Sequence, residues 1–217
     1  MLSASGSGST SGVIAGVDYC VDEKRRNPGR KMLANPSLGG GASSALDRAV
    51  NNAVAAGVPM VVAAGNDDRD ACNASPARAT SAITVGATSN SDTRASFSNF
   101  GACVDLFAPG VSITSTRGGS GGTRRLSGTS MAAPHAAGVV ALYLENDQSA
   151  TRVLSDATPN VVNDPNGSPN LLLYTALAGN GGGGGGGPSP PTPAPVAAPT
   201  PSPTPAPQQS CFLFICI

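Results

Sequence analysis

Several short, apolar-rich segments of this chain have the length of strands, and they restrict the fold more than any other feature. Residues 58–64, 82–88 and 104–107 are segments of this kind, and a further short strand is predicted within residues 32–38. None of them shows the strict polar and apolar alternation of a half-exposed strand. Both faces of these strands are therefore predicted to be buried, as in a parallel sheet that helices cover.

Helical patterns separate these segments. Residues 11–21, 44–56 and 131–145 predict helices, and the second of them places Leu46, Ala49, Val50, Ala53 and Val54 on one face. Strands that alternate with helices predict an α/β fold with a parallel sheet. The functional loops of such a sheet lie at the carboxyl ends of its strands, where residues 37–41 and 65–66 fall.

Composition divides the chain into three parts. Residues 1–178 are predicted to form a globular domain, whereas residues 179–210 are rich first in Gly and then in Pro, Ser and Thr. The second part cannot bury a core and is predicted to be a linker. Residues 211–217, Cys-Phe-Leu-Phe-Ile-Cys-Ile, form a short apolar tail of unknown role. It is either the first strand of a truncated further domain or a mistranslated chain end.

Charge and hydropathy exclude two classes of partner. The sequence has 13 basic and 13 acidic residues, and its densest basic cluster, within residues 24–31, is interspersed with acidic residues and predicted to be a solvated loop. Without a basic face, nucleic acid is not expected as a partner. No apolar stretch reaches the roughly 20 residues that span a bilayer, and no secretory signal opens the chain. We expect a monomer without a membrane partner.

A serine within residues 127–135, S-G-T-S-M-A-A-P-H, is placed for chemistry. Ser130 follows a glycine turn at the predicted start of a helix, where backbone N–H groups and the positive end of the helix dipole point outward. Acyl transfer needs such donors where a carbonyl oxygen becomes an oxyanion. A serine or threonine that only caps a helix is the alternative for an isolated S-G-T-S string.

The whole string resembles the nucleophile signature of the subtilisin family, and the chain is most similar to its proteinase K-like branch. The resemblance implies a subtilisin-like parallel sheet without its N-terminal strands. It also implies a serine endopeptidase that forms an acyl-enzyme, with a broad preference for large apolar side chains. Further matching pieces are residues 6–8, 12–18, 37–40, 63–66, 96–99, 108–110 and 168–171.

The resemblance assigns roles by position. Ser130 would be the nucleophile, and the side-chain amide of Asn66 would join the backbone N–H of Ser130 in the oxyanion hole. No cofactor is implied for catalysis, and the partner would be a peptide or protein substrate bound as an added strand. One edge of the cleft would be Gly6, Ser7 and Gly8, the other Ser37, Leu38 and Gly39, and the pocket floor Ala63, Ala64 and Gly65.

Two structural sites also follow from the resemblance. Cys72 and Cys103 coincide with a disulfide of thermophilic relatives, which implies an oxidising compartment and a secreted, extracellular protein. The resemblance assigns no role to Cys20, Cys211 or Cys216. Asp105, with the backbone carbonyls of Thr80 and Ala82, aligns with a calcium site, and oxygen ligands suit that hard cation.

A catalytic base and its orienting acid are expected to be missing. In the family both precede the segment that corresponds to residues 6–8. The single histidine, His135, lies five residues after Ser130 on the same predicted helix and projects from a different angle. Asp18 matches a helical position remote from the site. We therefore expect a fragment of a secreted peptidase that is inactive by itself. The alternatives are a non-catalytic peptide- or calcium-binding remnant and a structural extracellular protein.

Overall fold

A computed structural model describes residues 8–117 and 121–176 and, as a strand, residues 214–216. The helices are α1 (Thr10–Arg26), α2 (Ser44–Ala55), α3 (Thr129–Glu145) and α4 (Arg152–Ser155), with a short 3-10 helix at Ala71–Asn73. The strands are β1 (Ala34–Pro36), β2 (Gly40–Gly41), β3 (Val61–Ala63), β4 (Ala74–Ser75), β5 (Ile83–Thr88), β6 (Leu106–Pro109), β7 (Ile113–Thr116), β8 (Thr123–Leu126), β9 (Thr158–Pro159), β10 (Leu171–Leu172) and β11 (Phe214–Cys216).

The central sheet has the strand order β3-β5-β6-β10-β9. Strands β3, β5, β6 and β10 are parallel neighbours, and β9 closes one edge antiparallel to β10. Strand β1 lies beside β3 through a parallel bridge between Ala34 and Met60. The predicted α/β class, with a mostly parallel sheet flanked by helices, is confirmed.

Apolar side chains bury both faces of the sheet. On one face, Val61 and Ala63 of β3 belong to the core cluster that includes α3. On the other face, Met60 and Val62 pack in the cluster formed with α1 and α2. This opposite placement of successive residues explains why the strands lack polar alternation in the sequence. Helix α3 meets the sheet through small residues, namely Ala132, Ala133, Ala136 and Ala137.

A side chain replaces a main-chain donor between β1 and β3. Ala34 donates its N–H to Pro59 O at 2.9 Å, so the next N–H toward β3 would come from residue 36, which is a proline. Asn35 Nδ2 instead donates to Val61 O at 2.8 Å, and Ser37 Oγ donates to Asn35 Oδ1 at 3.1 Å. The Val61 carbonyl is therefore satisfied despite Pro36.

One sequence prediction needs correction, and one element of the fold was missed. The basic cluster is not wholly a loop, because Lys24, Arg25 and Arg26 form the last turn of α1. Lys and Arg are good helix formers, and their charge is favourable at a helix C-terminus. The hairpin of β7 and β8 was not predicted, because its residues are mostly polar and exposed.

Two other expectations can be compared with the structure. A disulfide joins Cys72 and Cys103, with their Cα atoms 5.2 Å apart, which confirms the predicted pair. In the described part of the chain, no helix is both long and apolar enough to cross a membrane.

Candidate active site

Ser130 is the second residue of α3 and lies at the carboxyl ends of the neighbouring strands. Its N–H is one of the first four in the helix, which have no intrahelical acceptor. Its hydroxyl is half-buried and donates to the backbone carbonyl of Ser37, just after β1, at 3.1 Å. Ser130 therefore borders the loop that follows β1.

Asn66 reaches the same helix end from the loop that follows β3. Its Oδ1 accepts the Thr129 N–H at 2.8 Å and the Thr129 hydroxyl at 2.9 Å. Because a backbone N–H can only donate, the atom facing Thr129 must be the amide oxygen, and this defines the orientation of the amide. Asn66 Nδ2 makes no hydrogen bond with any residue that the structure describes. It lies close to Gly128, two residues before Ser130.

Thr129 connects the two segments. Its side chain accepts the Gly65 N–H at 3.1 Å while donating to Asn66, and the residue is fully buried. A threonine hydroxyl that accepts one bond and donates another has one direction for its hydrogen. Thr129 therefore keeps Asn66 in the orientation in which Nδ2 can donate to a ligand.

Asn99 holds the backbone of the same loop. Its Nδ2 donates to Ala64 O at 2.8 Å, and its Oδ1 accepts the N–H groups of Asp67 and Arg69 at 3.1 and 3.2 Å. Gly65 has φ +105°, and a Cβ there would lie 2.3 Å from Asn99 Nδ2. Only glycine therefore fits at residue 65, where the loop backbone passes over the buried Asn99.

Six of the nine predicted cleft residues follow β1 or lie at the end of β3, near Ser130. Ser37 and Leu38 are buried and Gly39 is exposed, while Ala63 and Ala64 are buried at the end of β3. Gly8 is described and exposed, whereas Gly6 and Ser7 lie outside the described residues. The loops after β1 and β3 meet at the same edge of the sheet, as expected for parallel strands.

No described residue acts as a base toward Ser130. His135, the only histidine of the sequence, is exposed, and its Nδ1 is hydrogen-bonded to Met131 O of its own helix at 2.8 Å. Asp18 is exposed on α1. Among the hydrogen bonds of the described residues, the Ser130 hydroxyl has only the Ser37 carbonyl as acceptor.

Comparison with known proteins matches residues 1–199 to the model of the subtilase family, peptidase family S8. The chain belongs to this family. It is 57% identical over 183 residues to an extracellular serine proteinase of Thermus sp. (strain Rt41A), covering 81% of this chain and 44% of that protein. It is 52% identical over 181 residues to alkaline serine exoprotease A of Vibrio alginolyticus, covering 81% of this chain and 33% of that protein.

A solved structure agrees with the family assignment. The crystal structure of a cold adapted subtilisin-like serine proteinase matches with a TM-score of 0.75 and 49% sequence identity. The match covers 82% of this chain and 65% of that one. This subtilase thus spans less than half the length of the two curated relatives above.

Sequence reasoning missed the positioning residues of the subtilase site. Thr129 and Asn99 lie inside the matching strings at residues 127–135 and 96–99, although neither was predicted as a site residue. Their roles depend on hydrogen bonds to residues about 30 to 60 positions away, which spacing does not reveal.

The predicted calcium ligands lie at the amino ends of the strands. Asp105 Oδ2 accepts the Thr84 N–H at 2.7 Å. Burial raises the pKa of Asp105, and the bond from Thr84 opposes that increase. Among the described residues, neither the other carboxylate oxygen nor the carbonyls of Thr80 and Ala82 have a hydrogen-bond donor. These oxygens suit a hard cation, although no described group of three His, Cys, Asp or Glu residues could hold one.

Proposed function

We propose that this chain supplies the nucleophile and the oxyanion hole of a serine endopeptidase. The observation that carries the proposal is the Asn66 amide, whose oxygen is bound twice by Thr129 and whose nitrogen remains available beside Ser130. A carboxamide held in this way is ready to donate to negative charge, without reorganisation when that charge forms.

In the proposed reaction, Ser130 Oγ attacks the carbonyl carbon of a peptide bond, and the hydroxyl proton passes to a base. The carbonyl oxygen becomes an oxyanion that accepts hydrogen bonds from Asn66 Nδ2 and the Ser130 N–H. The C–N bond then breaks, the amine leaves with the proton, and water hydrolyses the acyl ester on Ser130. The Ser130 hydroxyl must first leave the Ser37 carbonyl.

The substrate is proposed to be an extended peptide. It would pair with the backbone of residues 37–39 on one side and residues 6–8 on the other. The small residues Ala63, Ala64 and Gly65 leave room for a large apolar side chain, with broad specificity. No cofactor is needed for these steps.

The base and its orienting acid are proposed to come from a segment that this chain does not contain. His135 cannot serve, because it is exposed and bound to its own helix. We therefore expect the chain by itself to be inactive. A non-catalytic peptide- or calcium-binding protein and a structural extracellular protein are the alternatives.

Peptide hydrolysis and fluorophosphonate labelling test the proposal. Both would be measured on this chain and on a chimera that adds, in front of it, the segment preceding the matched region in the Thermus relative. In subtilisin itself, loss of the base lowers turnover about a million-fold, and we expect a difference of that size between this chain and the chimera. The chimera should label and hydrolyse, and Ser130→Ala should abolish both. Turnover by the short chain that depends on Ser130 would refute the missing base, and an inert chimera that folds would refute the proposed nucleophile.

We also propose a calcium site at Asp105, Thr80 and Ala82, and an extracellular location. The location is supported by the Cys72–Cys103 disulfide, which suits an oxidising compartment, and by the Thermus relative, which is named extracellular. Calcium should raise the melting temperature with its concentration, as binding to the native state requires. Asp105→Asn should remove that dependence, and unchanged dependence in this variant would refute the site.

A further inference from the structure

We propose that Asp47, in the first turn of α2, is a positioning residue for the substrate edge, which we define as residues 37–39. The inference rests on the proposed function, because the substrate is proposed to pair with this edge. Asp47 does not belong to the edge. It acts through Ser75 of β4, which holds the chain just beyond residue 39.

Strand β2 follows the substrate edge directly and cannot be held by side chains. It consists of Gly40 and Gly41, which are both exposed. A Cβ at either position would have no neighbour within 4 Å beyond the adjacent residues. Glycine also loses more conformational freedom on folding than any other residue. The position of β2 therefore depends on its pairing with β4, where Gly40 lies opposite Ser75 and Gly41 opposite Ala74.

The Ser75 hydroxyl extends this pairing to the start of α2. Its Oγ accepts the N–H of Ser43 at 2.8 Å and donates to Asp47 Oδ1 at 2.6 Å. The Ser43 carbonyl, 3.5 Å away, is a much longer alternative for the same hydrogen. Ser75 is buried, and a buried hydroxyl requires partners. Because a hydroxyl has one hydrogen, the short bond to Asp47 leaves the lone pairs of Ser75 Oγ for Ser43.

Asp47 is itself held through its other oxygen. Oδ2 accepts the Nε–H of Arg78 at 2.7 Å, and the Asp47 side chain is only 14% exposed. Hydrogen bonds to an ionised carboxylate are shorter and stronger than those between neutral groups. The charge is also favourable in the first turn of α2, near the positive end of the helix dipole. Asp47 is therefore a fixed acceptor for Ser75.

These contacts reach the candidate site through a short stretch of backbone. Ser37 begins the edge, and its carbonyl accepts the Ser130 hydroxyl at 3.1 Å. Gly39 ends the edge beside β4, because a Cβ there would lie 3.7 Å from Ser75 O. A peptide that pairs with main-chain groups needs them in fixed positions, since small displacements lower the rate strongly. Loss of Asp47 should therefore weaken the binding of substrates long enough to pair along the edge.

Substrate length tests the proposal in the active chimera. For a peptide that extends four residues before the scissile bond, Asp47→Ala should raise KM about tenfold and lower kcat less than about twofold. An ester of one acylated amino acid is too short to pair along the edge, so both of its constants should change less than about twofold. A purely structural loss would instead lower the amount of active enzyme, and with it kcat for both substrates.

Further variants separate the Ser75 bond from the ion pair. Ser75→Ala should reproduce the increase in peptide KM. Arg78→Ala leaves the bond between Asp47 and Ser75 and is the matched control, with a change in KM of less than about twofold. Asp47→Asn keeps an acceptor for the Ser75 hydroxyl and should bring KM to within about threefold of wild type. An unchanged peptide KM in Asp47→Ala, an equal increase for the ester, or an equal effect of Arg78→Ala would overturn the proposal.

Amide exchange in this chain tests the positioning without catalysis. Ser75→Ala removes the acceptor of the Ser43 N–H and sets the full size of the effect. Asp47→Ala should accelerate Ser43 exchange at least about tenfold, and Arg78→Ala much less. The Asn99 N–H, bound to Gly65 O at 3.0 Å, is the internal control and should change little.

The two measurements distinguish this proposal from the proposed function. Accelerated Ser43 exchange in Asp47→Ala together with an inactive, folded chimera would support the positioning and refute the proposed function. Unchanged Ser43 exchange in Asp47→Ala together with an active chimera would refute the positioning and leave the proposed function standing.

Discussion

The loops that follow β3 and β1 both border Ser130, but they are held in different ways. The loop after β3 is fixed by side chains distant in sequence, since Asn99 binds its backbone and Thr129 binds Asn66. The loop after β1 is held by main-chain pairing of β2 with β4 and by the bond between Ser37 and Asn35, and it meets Ser130 through one backbone carbonyl.

This difference matches the tasks proposed for the two loops. A donor that stabilises an oxyanion must be oriented before the charge forms, and the loop after β3 has that preorganisation. A backbone edge that receives a peptide needs accessible main-chain groups rather than a fixed side chain. Asn66 and Asn99 each end one of the matching strings, but they differ in role. Both ends of the Asn99 amide are hydrogen-bonded, whereas only the oxygen of the Asn66 amide is.

The largest effect is expected from Asn66 in the active chimera. Asn66→Ala should lower kcat about 100- to 1000-fold, the magnitude known for the oxyanion asparagine of subtilisin, the type member of this family. KM should change little, because the lost interaction forms mainly in the transition state. Steady-state kinetics with a peptide substrate measures both constants.

Asn66→Asp is the matched control for that prediction. It keeps an oxygen for the two bonds from Thr129 but replaces the donor with an acceptor, so its activity should be at least as low. If Asn66→Asp kept wild-type kcat, the Nδ2 donor would have no catalytic role, and the contrast between the two loops would lose its functional meaning.

Asn99→Ala should lower the free energy of unfolding by about 3 kcal/mol, because it leaves three backbone groups of the loop without partners. Urea denaturation of the chain measures the change. Asn51→Ala is the matched control, since half-buried Asn51 also accepts two bonds, from the N–H and Oγ of exposed Ser81, and its loss should cost less than about 1 kcal/mol. Equal costs at the two positions would show that the loop after β3 is not specially braced.

A double-mutant cycle sharpens the comparison on the β1 side. Asn35→Ala should cost about 1–2 kcal/mol, because Val61 O loses its donor. In a Pro36→Ala background, residue 36 regains an N–H on the β3 side, so the same substitution should cost about 1 kcal/mol less. Urea denaturation of all four proteins measures these costs. If the costs of the two substitutions were additive, the Asn35 side chain would not replace the main-chain donor that Pro36 lacks.

The smallest effect concerns Asp105, at the opposite end of the strands. Burial raises its pKa above the ordinary 3.8, so the native state binds the proton more tightly than the unfolded chain does. Its stabilising contribution is therefore present below pH 3.8 and is lost as the pH rises through the raised pKa. In calcium-free buffer, wild type should lose stability relative to Asp105→Asn over that range. The measurement is the urea midpoint of both proteins at a series of pH values. A difference between the two midpoints that stayed constant or reversed with pH would refute the prediction.

Much of the fold could be predicted because burial leaves a mark in the sequence. Helix α2 and strands β3 and β5 lie within the predicted segments, since each has an apolar face or two. The β7–β8 hairpin could not be found in this way, because a mostly polar and exposed hairpin has no apolar pattern. The pairing of β11 with β1 joins residues about 180 positions apart, and nothing local in either segment indicates it.

Only part of the candidate site could be predicted from the sequence. Family strings pointed to Ser130 and Asn66, because their chemistry is tied to short motifs. The support from Thr129, Asn99 and Asn35 was not predictable, because a hydrogen-bond partner is chosen by the folded backbone and not by spacing along the chain.

Helix α3 links substitutions in the core to the geometry of the candidate active site. The same helix carries Ser130 in its first turn and fits against the sheet through Ala132, Ala133, Ala136 and Ala137. A larger side chain at any of these four positions would push the helix from the sheet and displace Ser130 with it. The same four residues therefore affect both the packing of the core and the position of Ser130. We expect lineages that diverge widely in surface loops to accept few substitutions along this face of α3.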